Sequence, residues 1–301
     1  MSRRALLLVN RNSRQGSSAA DQLVPLLHER GLELTEESAP KPPGLSELIR
    51  RYKDRVDLVI VVGGDGTLNA AADGLAETGL PLGLIPTGTA NDLARTLGVP
   101  TDLAAACEVI ANGQLRTIDL GCVNGKHYFN VASLGLTVRI TQQLTKEVKS
   151  RWGVFAYLLT AMRVVIGSRP FHATIRFEED VLRVKTAQIA VGNGRHYGGG
   201  MTVADDAVID DGLLDLYSLE IRHWWQIIPL LPAMRRGDLA ASPHVRTLRG
   251  REFEVVTRSH RRVNTDGELT TKTPAQFRIV PGAVRVYVPN TATSADGLSG
   301  P

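Results

Sequence analysis

Leu58-Val59-Ile60-Val61-Val62-Gly63-Gly64-Asp65-Gly66-Thr67 runs from an unbroken apolar stretch into a glycine-rich turn, and Asn69 to Ala76 beyond it is rich in alanine and leucine. An apolar run bounded by glycines reads as a strand buried on both faces, and the stretch after it as a helix. The turn therefore joins a strand to a helix N-terminus. Gly63, Gly64 and Gly66 let the backbone adopt positive φ and bring bare N–H groups close to a ligand, while the helix start favours anions, so the turn suits phosphate. Asp65 needs a reason of its own there: it can hold a Mg²⁺ that neutralises phosphate oxygens, or orient an attacking hydroxyl. The competing reading is a tight turn in which Asp65 or Thr67 caps the helix, and the pentapeptide alone leaves both open.

The next strand ends in a second turn of the same kind. Leu82 to Ile85 leads into Pro86-Thr87-Gly88-Thr89-Ala90-Asn91-Asp92-Leu93-Ala94-Arg95, again small residues before a helix start. Two such turns at neighbouring strand ends share the crevice outside the carboxyl ends of the strands, where open α/β sheets bind ligands. Capping by Asn91 or Asp92 is the alternative here. Further out, Ala5 to Val9 and Leu115 to Leu120 are apolar runs, Leu45, Leu48, Ile49 and Tyr52 fall on one helical face, and Asp102 to Ile110 is again helix-like. Strand and helix alternating in this way predict an α/β domain with an open, largely parallel sheet.

Beyond residue 125 the period changes. Ala173, Ile175 and Phe177 alternate with polar residues, a polar turn follows, and Val181 to Val191 reads as one second extended run. Leu213 to Leu219, Arg251 to Thr257, Gln276 to Val280 and Val284 to Val288 read as further strands, with helical stretches at Val138 to Lys149 and Val154 to Ile166. A mostly antiparallel β domain is expected. Two acidic turns lie in it, Asp210-Asp211-Gly212-Leu213-Leu214-Asp215 and Asn264-Thr265-Asp266-Gly267-Glu268. Asp-Gly is a common hairpin signal, yet phosphoryl transfer needs a divalent metal and a carboxylate near the accepting hydroxyl, and these loops supply candidates for both.

A chain of 301 residues has room for two domains. Its 35 Lys and Arg against 31 Asp and Glu give a net charge of +4, which favours anionic surfaces without naming one. Cys107 and Cys122 are the only cysteines and have no metal-ligand spacing, so neither a disulfide framework nor a zinc site is indicated and a reducing cytoplasm fits. The best candidate span, Trp152 to Gly167, carries Arg163 and falls short of the roughly 20 apolar residues a bilayer crossing needs. Met1 to Asn10 reads as a first strand rather than a signal peptide. His223-Trp224-Trp225-Gln226-Ile227-Ile228-Pro229-Leu230-Leu231 is a candidate membrane contact, with core packing the alternative. The basic run Arg258, His260, Arg261 and Arg262 reads as a solvated strand edge. His196 and Tyr197 are weaker candidates for an acceptor pocket, and Lys146 and Lys149 for charge near a transferred phosphate.

In order along the chain, these blocks resemble the diacylglycerol kinase catalytic domain family, specifically its bacterial lipid kinases, from about Ala5 to Pro289. Gly63-Gly64-Asp65-Gly66-Thr67-Leu68-Asn69 is similar to the family's nucleotide signature and Pro86 to Pro100 to its second block, which includes Thr89, Asn91 and Asp92. Ile118 to Gly121, Phe129 to Gly135, Gly192-Asn193 with Gly198 to Gly200, Asp211 to Asp215 and Asp266 to Glu268 are further matches. The resemblance implies an NAD kinase-like nucleotide domain over 1–124 and a β-sandwich-like domain over 125–290 whose last strand can return to the first domain, with ATP between the domains; the Ala/Ser/Gly-rich tail over 291–301 reads as disordered from its composition. It further implies that Gly64 to Thr67 and Thr89 contact ATP phosphates, that Glu268 accepts the lipid hydroxyl proton with Asp65 as second choice, and that Asp211 with the Val208 and Leu213 carbonyls holds Mg²⁺. Ser38 lies where some relatives place a nucleotide-contacting Thr. Two departures are Asn10 to Gly16, which lacks the family's Asn-Pro pair, and Ala70, which stands where relatives often have Glu.

The expected function is thus an ATP-dependent lipid kinase, cytoplasmic and peripherally bound to the inner face of the membrane, acting on diacylglycerol or a related lipid. No nucleic-acid partner is expected, and oligomeric state stays open, a homodimer included. The alternatives are a nucleotide kinase similar to NAD kinases, which share the Gly-Gly-Asp-Gly-Thr turn, and a catalytically silent lipid-binding regulator.

Overall fold

A computed structural model of the chain describes residues 2–9, 14–38, 44–136, 138, 169–194, 196, 197, 201, 202, 208–221, 223–227, 230 and 242–290. They form two compact units, one of residues 1–120 with 281–301, the other of residues 121–280. The chain passes from one to the other inside two long strands, at Leu120/Gly121 and Val280/Pro281.

In the first unit the elements run β1 (Arg3–Val9), α1 (Arg14–Glu29), β2 (Leu32–Ser38), α2 (Gly44–Arg51), β3 (Leu58–Gly63), α3 (Asp65–Thr78), β4 (Leu82–Pro86), α4 (Asp92–Leu97), α5 (Leu103–Asn112) and the start of β5 (Gln114–Val123). Strands β2, β1, β3 and β4 lie side by side in parallel, with Ala5 opposite Leu58 and Val59 opposite Leu82. Every residue of β3 and β4 is buried, which is why both read as continuous apolar runs. The core gathers Leu7, Ile60, Val62 and Ile85 with Leu23 and Leu27 of α1 and Ile110 of α5. Strand β2 has no counterpart among the apolar runs because it is an edge strand with one buried residue, Leu32. Tyr52, read as part of the helical face, falls just past α2, where its hydroxyl donates to Glu37 Oε1 at 2.8 Å. Close approach of α2 and α3 depends on Gly74, where a Cβ would stand 2.8 Å from the Ser46 backbone.

In the second unit, β5 ends in a hairpin with β6 (Lys126–Tyr128), and β7 (Val131–Gly135), β8 (Phe171–Phe177), β9 (Asp180–Thr186) and β10 (Gln188–Gly192) follow. A short hairpin of β11 (His196–Tyr197) and β12 (Met201–Thr202) precedes β13 (Leu214–Leu219), β14 (Val245–Gly250), β15 (Glu252–Thr257), β16 (Arg262–Thr265), β17 (Glu268–Lys272) and β18 (Ala275–Val288). Six strands in the order β14-β13-β10-β7-β16-β17 form one antiparallel sheet. The first part of β18 pairs antiparallel with β15, then β8 and β9. Apolar faces of both groups, Leu134, Ile189 and Leu216 with Ile175, Val255 and Phe277, share one core.

Two strand readings are corrected. Val181 to Val191 is not one run: it breaks at Ala187, so that β9 pairs with β8 while β10 pairs with β7 and β13. Ala187 N–H donates to Leu219 O at 2.8 Å, and the Thr186 hydroxyl bonds Gln188 O at 2.7 Å and Leu219 O at 2.9 Å, so local polar bonds hold the crossing point. Conversely, Gln276 to Val280 and Val284 to Val288 are parts of the single strand β18. Between them Gly282 (φ 61°) gives its N–H to Asp119 Oδ1 at 2.7 Å and the strand continues. The helical stretches expected from Val138 and Val154 and the tail over 291–301 lie outside the described residues, apart from Val138 itself.

Candidate active site

At the carboxyl edge of the parallel sheet the two glycine turns pack back to back. A Cβ on Gly64 would lie 2.9 Å from Gly88 Cα, and one on Gly88 would lie 2.6 Å from Gly64 Cα. Thr87 N–H also donates to Gly63 O at 3.1 Å. Helix α3 is capped by Gly64 itself with no side-chain bond, so neither Asp65 nor Thr67 serves as the N-cap. Gly66 and Thr67 belong to the first turn of α3, where Thr67 and Leu68 N–H both donate to Gly64 O, at 3.0 Å and 3.1 Å. Asn91 caps α4 at φ 50°, and its side chain turns back to accept from Gly88 N and donate to Gly88 O, both at 2.9 Å.

Asp65 links the two turns: its Oδ1 accepts from Asp92 N–H at 2.9 Å. Burial, then the nearby Asp92 charge, push its pKa above the ordinary aspartate value, against backbone hydrogen bonds from Leu93 and Asp92. Thr89 is exposed, whereas the Leu68, Asn69 and Asp92 side chains are buried. Ser38 ends β2 opposite Val9, which pairs with Val62. It therefore shares the carboxyl edge of the sheet with both glycine turns, about 10 Å from Gly63 at two strand spacings.

Strand register in the second unit gathers its acidic loops. Thr265 faces Ala132, Ala132 faces Val191, Val191 faces Leu216, and Leu214 faces Gly250. The Asp266-Gly267-Glu268 turn, residues 129 and 130, Asn193 and the 208–213 loop thus occupy one end of the six-stranded sheet. Asp266, at φ 45°, accepts three backbone N–H groups, from Phe129 at 2.8 Å, Asn130 at 3.1 Å and Val131 at 2.9 Å. Its own N–H goes to Val131 O at 2.9 Å, and Gly267 N–H goes to Asn264 Oδ1 at 2.8 Å. Glu268 opens β17 from this fixed turn, half-buried, and burial raises its pKa above the ordinary glutamate value. The anchoring part played by Asp266 was not read from the sequence; the positive-φ habit of Asp before Gly was its one signal.

Asp211 Oδ1 accepts Leu213 N–H at 2.9 Å, and its Oδ2 is bonded by Arg249. Arg249 Nε also lies 3.7 Å from Asp215 Oδ1, a pairing that sequence reading missed. Val208 is exposed and Leu213 half-buried. One carboxylate with main-chain carbonyls is a hard-oxygen set that suits Mg²⁺, an ion that keeps several waters, and each Asp211 oxygen retains acceptor capacity. Among the described residues no three His, Cys, Asp or Glu side chains cluster as an all-side-chain metal cage. Asp65 and Glu268 belong to different units.

Of the weaker candidates, His196 and Tyr197 sit on the β11–β12 hairpin, while Lys146, Lys149 and Gly198 to Gly200 lie outside the described residues. The basic run is engaged structurally: the Arg261 guanidinium lies 3.8 Å from the Phe171 ring centroid, and His260 Nδ1 is 2.6 Å from Thr273 O. Trp224–Ile227 forms a 3₁₀ turn on which Trp225 is 52% exposed, its ring stacked on His223 at 4.2 Å and 3°. No helix among the described residues is long and apolar enough to cross a membrane.

Comparison with known proteins gives a consistent outcome. Residues 4–123 match the family described as diacylglycerol kinase catalytic domain, and residues 130–288 match the YegS C-terminal NAD kinase beta sandwich-like domain. A diacylglycerol kinase of Staphylococcus saprophyticus is 27% identical over 297 residues, covering 96% of this chain and 97% of that protein. One from Bacillus subtilis is 30% identical over 236 residues, 77% of this chain and 78% of its own. A crystal structure of a candidate diacylglycerol kinase from Bacillus anthracis str. Sterne, 28% identical, superposes with a TM-score of 0.82 over 96% of each chain.

Proposed function

The chain belongs to the bacterial lipid kinases of the diacylglycerol kinase family, and on that premise we propose that it transfers the γ-phosphate of ATP to a hydroxyl of diacylglycerol or a closely related lipid at a membrane surface. The observation that most supports this reading is the back-to-back packing of Gly64 and Gly88, which sets two helix starts beside each other at one sheet edge. Two helix starts set side by side suit a chain of phosphates rather than a single anion.

In the reaction, the lipid hydroxyl oxygen forms a bond to the γ-phosphorus as the bond to the β–γ bridging oxygen breaks, and ADP departs with that electron pair. The hydroxyl proton passes to Glu268. Gly64, Asp65, Gly66, Thr67 and Thr89 hold the phosphates, with Gly63, Leu68, Asn69, Asn91, Asp92 and Ser38 shaping that seat. Asp65 acts by tying the turns together through Asp92 N–H. Asp211 and the Val208 and Leu213 carbonyls would hold Mg²⁺, an ion that would supply positive charge against the phosphate oxygens. A carboxylate raised by burial accepts a proton more readily than an exposed one. Exposed Trp225, stacked on His223, supplies contact with the membrane interface, and the net charge of +4 suits an anionic leaflet on the cytoplasmic side.

The test is labelled ATP with Mg²⁺ and a panel of lipids in mixed micelles, with NAD included and Glu268→Ala as control. Label in diacylglycerol that vanishes in the variant is the expected result. Label in NAD alone would reverse the reading in favour of a nucleotide kinase, and label nowhere would favour a silent lipid-binding regulator.

A further inference from the structure

We propose that Arg249 is a resident counter-cation of the Asp211 loop, one with which Mg²⁺ must compete, so that this arginine sets how tightly the chain holds its metal. The inference rests on the metal placement at Asp211 given above. Arg249 stands directly across the β13–β14 ladder from Asp215, with Nε 3.7 Å from Asp215 Oδ1, and its terminal nitrogen bonds Asp211 Oδ2. Two carboxylates therefore converge on one guanidinium.

The other Asp211 oxygen is held by Leu213 N–H at 2.9 Å, and Leu214 is fixed opposite Gly250 in the ladder. The loop has its turn without the arginine. What Arg249 adds is positive charge at the oxygen a cation would use. A guanidinium and a divalent ion drawn to the same carboxylate repel each other across a few ångströms. Asp215 offers the displaced group a second seat. Space is present as well: Arg249 and Leu213 both line a cavity of about 910 Å³ within this unit. Metal on Asp211 would thus leave the guanidinium paired with Asp215.

The test is calorimetric titration of Mg²⁺ into the full-length protein, comparing the unaltered chain with Arg249→Gln, Arg249→Lys and Asp211→Asn. Arg249→Gln should bind Mg²⁺ about tenfold more tightly, the equivalent of one charge-assisted hydrogen bond removed from the competitor. Arg249→Lys keeps the charge but loses the planar fork, and should bind about threefold more tightly. Unchanged or weaker Mg²⁺ binding in a folded Arg249→Gln overturns the proposal, and should that variant fail to fold, an unchanged Arg249→Lys does the same. Undiminished Mg²⁺ binding in Asp211→Asn, or no binding in any form, removes the metal placement itself. Loss in Asp211→Asn with no gain in either arginine variant removes only the role of Arg249. Phosphorylation of diacylglycerol at saturating Mg²⁺ reports separately on the kinase reading.

Discussion

The carboxylate of Glu268 is held in the fold above its ordinary pKa by burial alone, and that has opposite consequences for stability and for catalysis. A group raised in the folded state is destabilising only when ionised: the effect is absent below the unfolded glutamate value near ~4.3 and fully present once the pH passes the raised folded value. Glu268→Gln should therefore melt at a higher temperature than the unaltered protein at pH 8 and at the same temperature at pH 4. The same change should lower kcat by about 10²- to 10⁴-fold, the usual contribution of a positioned base. Thermal melts across pH, set beside turnover, check both. At Gly88, an added Cβ would meet Gly64 Cα at 2.6 Å and Asn91 Oδ1 at 2.8 Å. Gly88→Ala should lose about 1–3 kcal/mol of stability by overpacking and weaken ATP binding measured by calorimetry. The Gly-Gly-Asp-Gly-Thr pentapeptide was legible as a strand-to-helix turn because it directly follows a continuous apolar run and precedes a helix-forming stretch. What Asp266 and Arg249 touch was not legible, because their partners lie 135 and more residues away for Asp266 and 34 and 38 residues away for Arg249.

Strands disclosed themselves according to how they are buried. Those covered on both faces, β3 and β4, stand out as uninterrupted apolar runs. Edge strand β2 carries Glu33, Thr35, Glu36 and Glu37 and offers no such signal. The break between β9 and β10 is invisible in Val181 to Val191 because the residues on either side suit strands equally well, and only pairing partners tell the two apart. At that break the fully buried Thr186 hydroxyl serves Gln188 and Leu219 together. Thr186→Val keeps the shape and removes those bonds, together with the acceptor of Gln188 N–H, while Leu219 O keeps the Ala187 N–H. A loss of about 1–3 kcal/mol in urea unfolding is expected, and an unchanged midpoint would mean that the ladders alone fix the crossing.

Across the second unit, the 3₁₀ turn carrying Trp225 and the turn carrying Glu268 lie at opposite ends of the six-stranded sheet. Trp224–Ile227 follows the carboxyl end of β13, with Gln226 Nε2 3.3 Å from His244 Nε2, whereas Glu268 lies at the end where β13 begins. Five residue steps along β13 separate those ends by ~17 Å. A membrane contact at Trp225 can thus hold the protein on a bilayer without touching the transferred phosphate. Trp225→Ala should weaken binding to anionic vesicles by about tenfold, from the lost apolar burial, while turnover of a monomeric short-chain diacylglycerol stays unchanged. Equal binding of both proteins to vesicles in a flotation assay would dismiss the contact. The change of period near residue 125 lies close to the passage between units at Leu120/Gly121, and the return to the first unit, expected of the last strand, runs inside β18 at Val280/Pro281. One feature of this unit also constrains what its sequence can become. Asp266 grips the nitrogens of residues 129, 130 and 131, not their side chains, so this anchor of the Glu268 turn does not itself depend on which side chains stand there. Proline alone, having no hydrogen on its nitrogen, is barred from all three places.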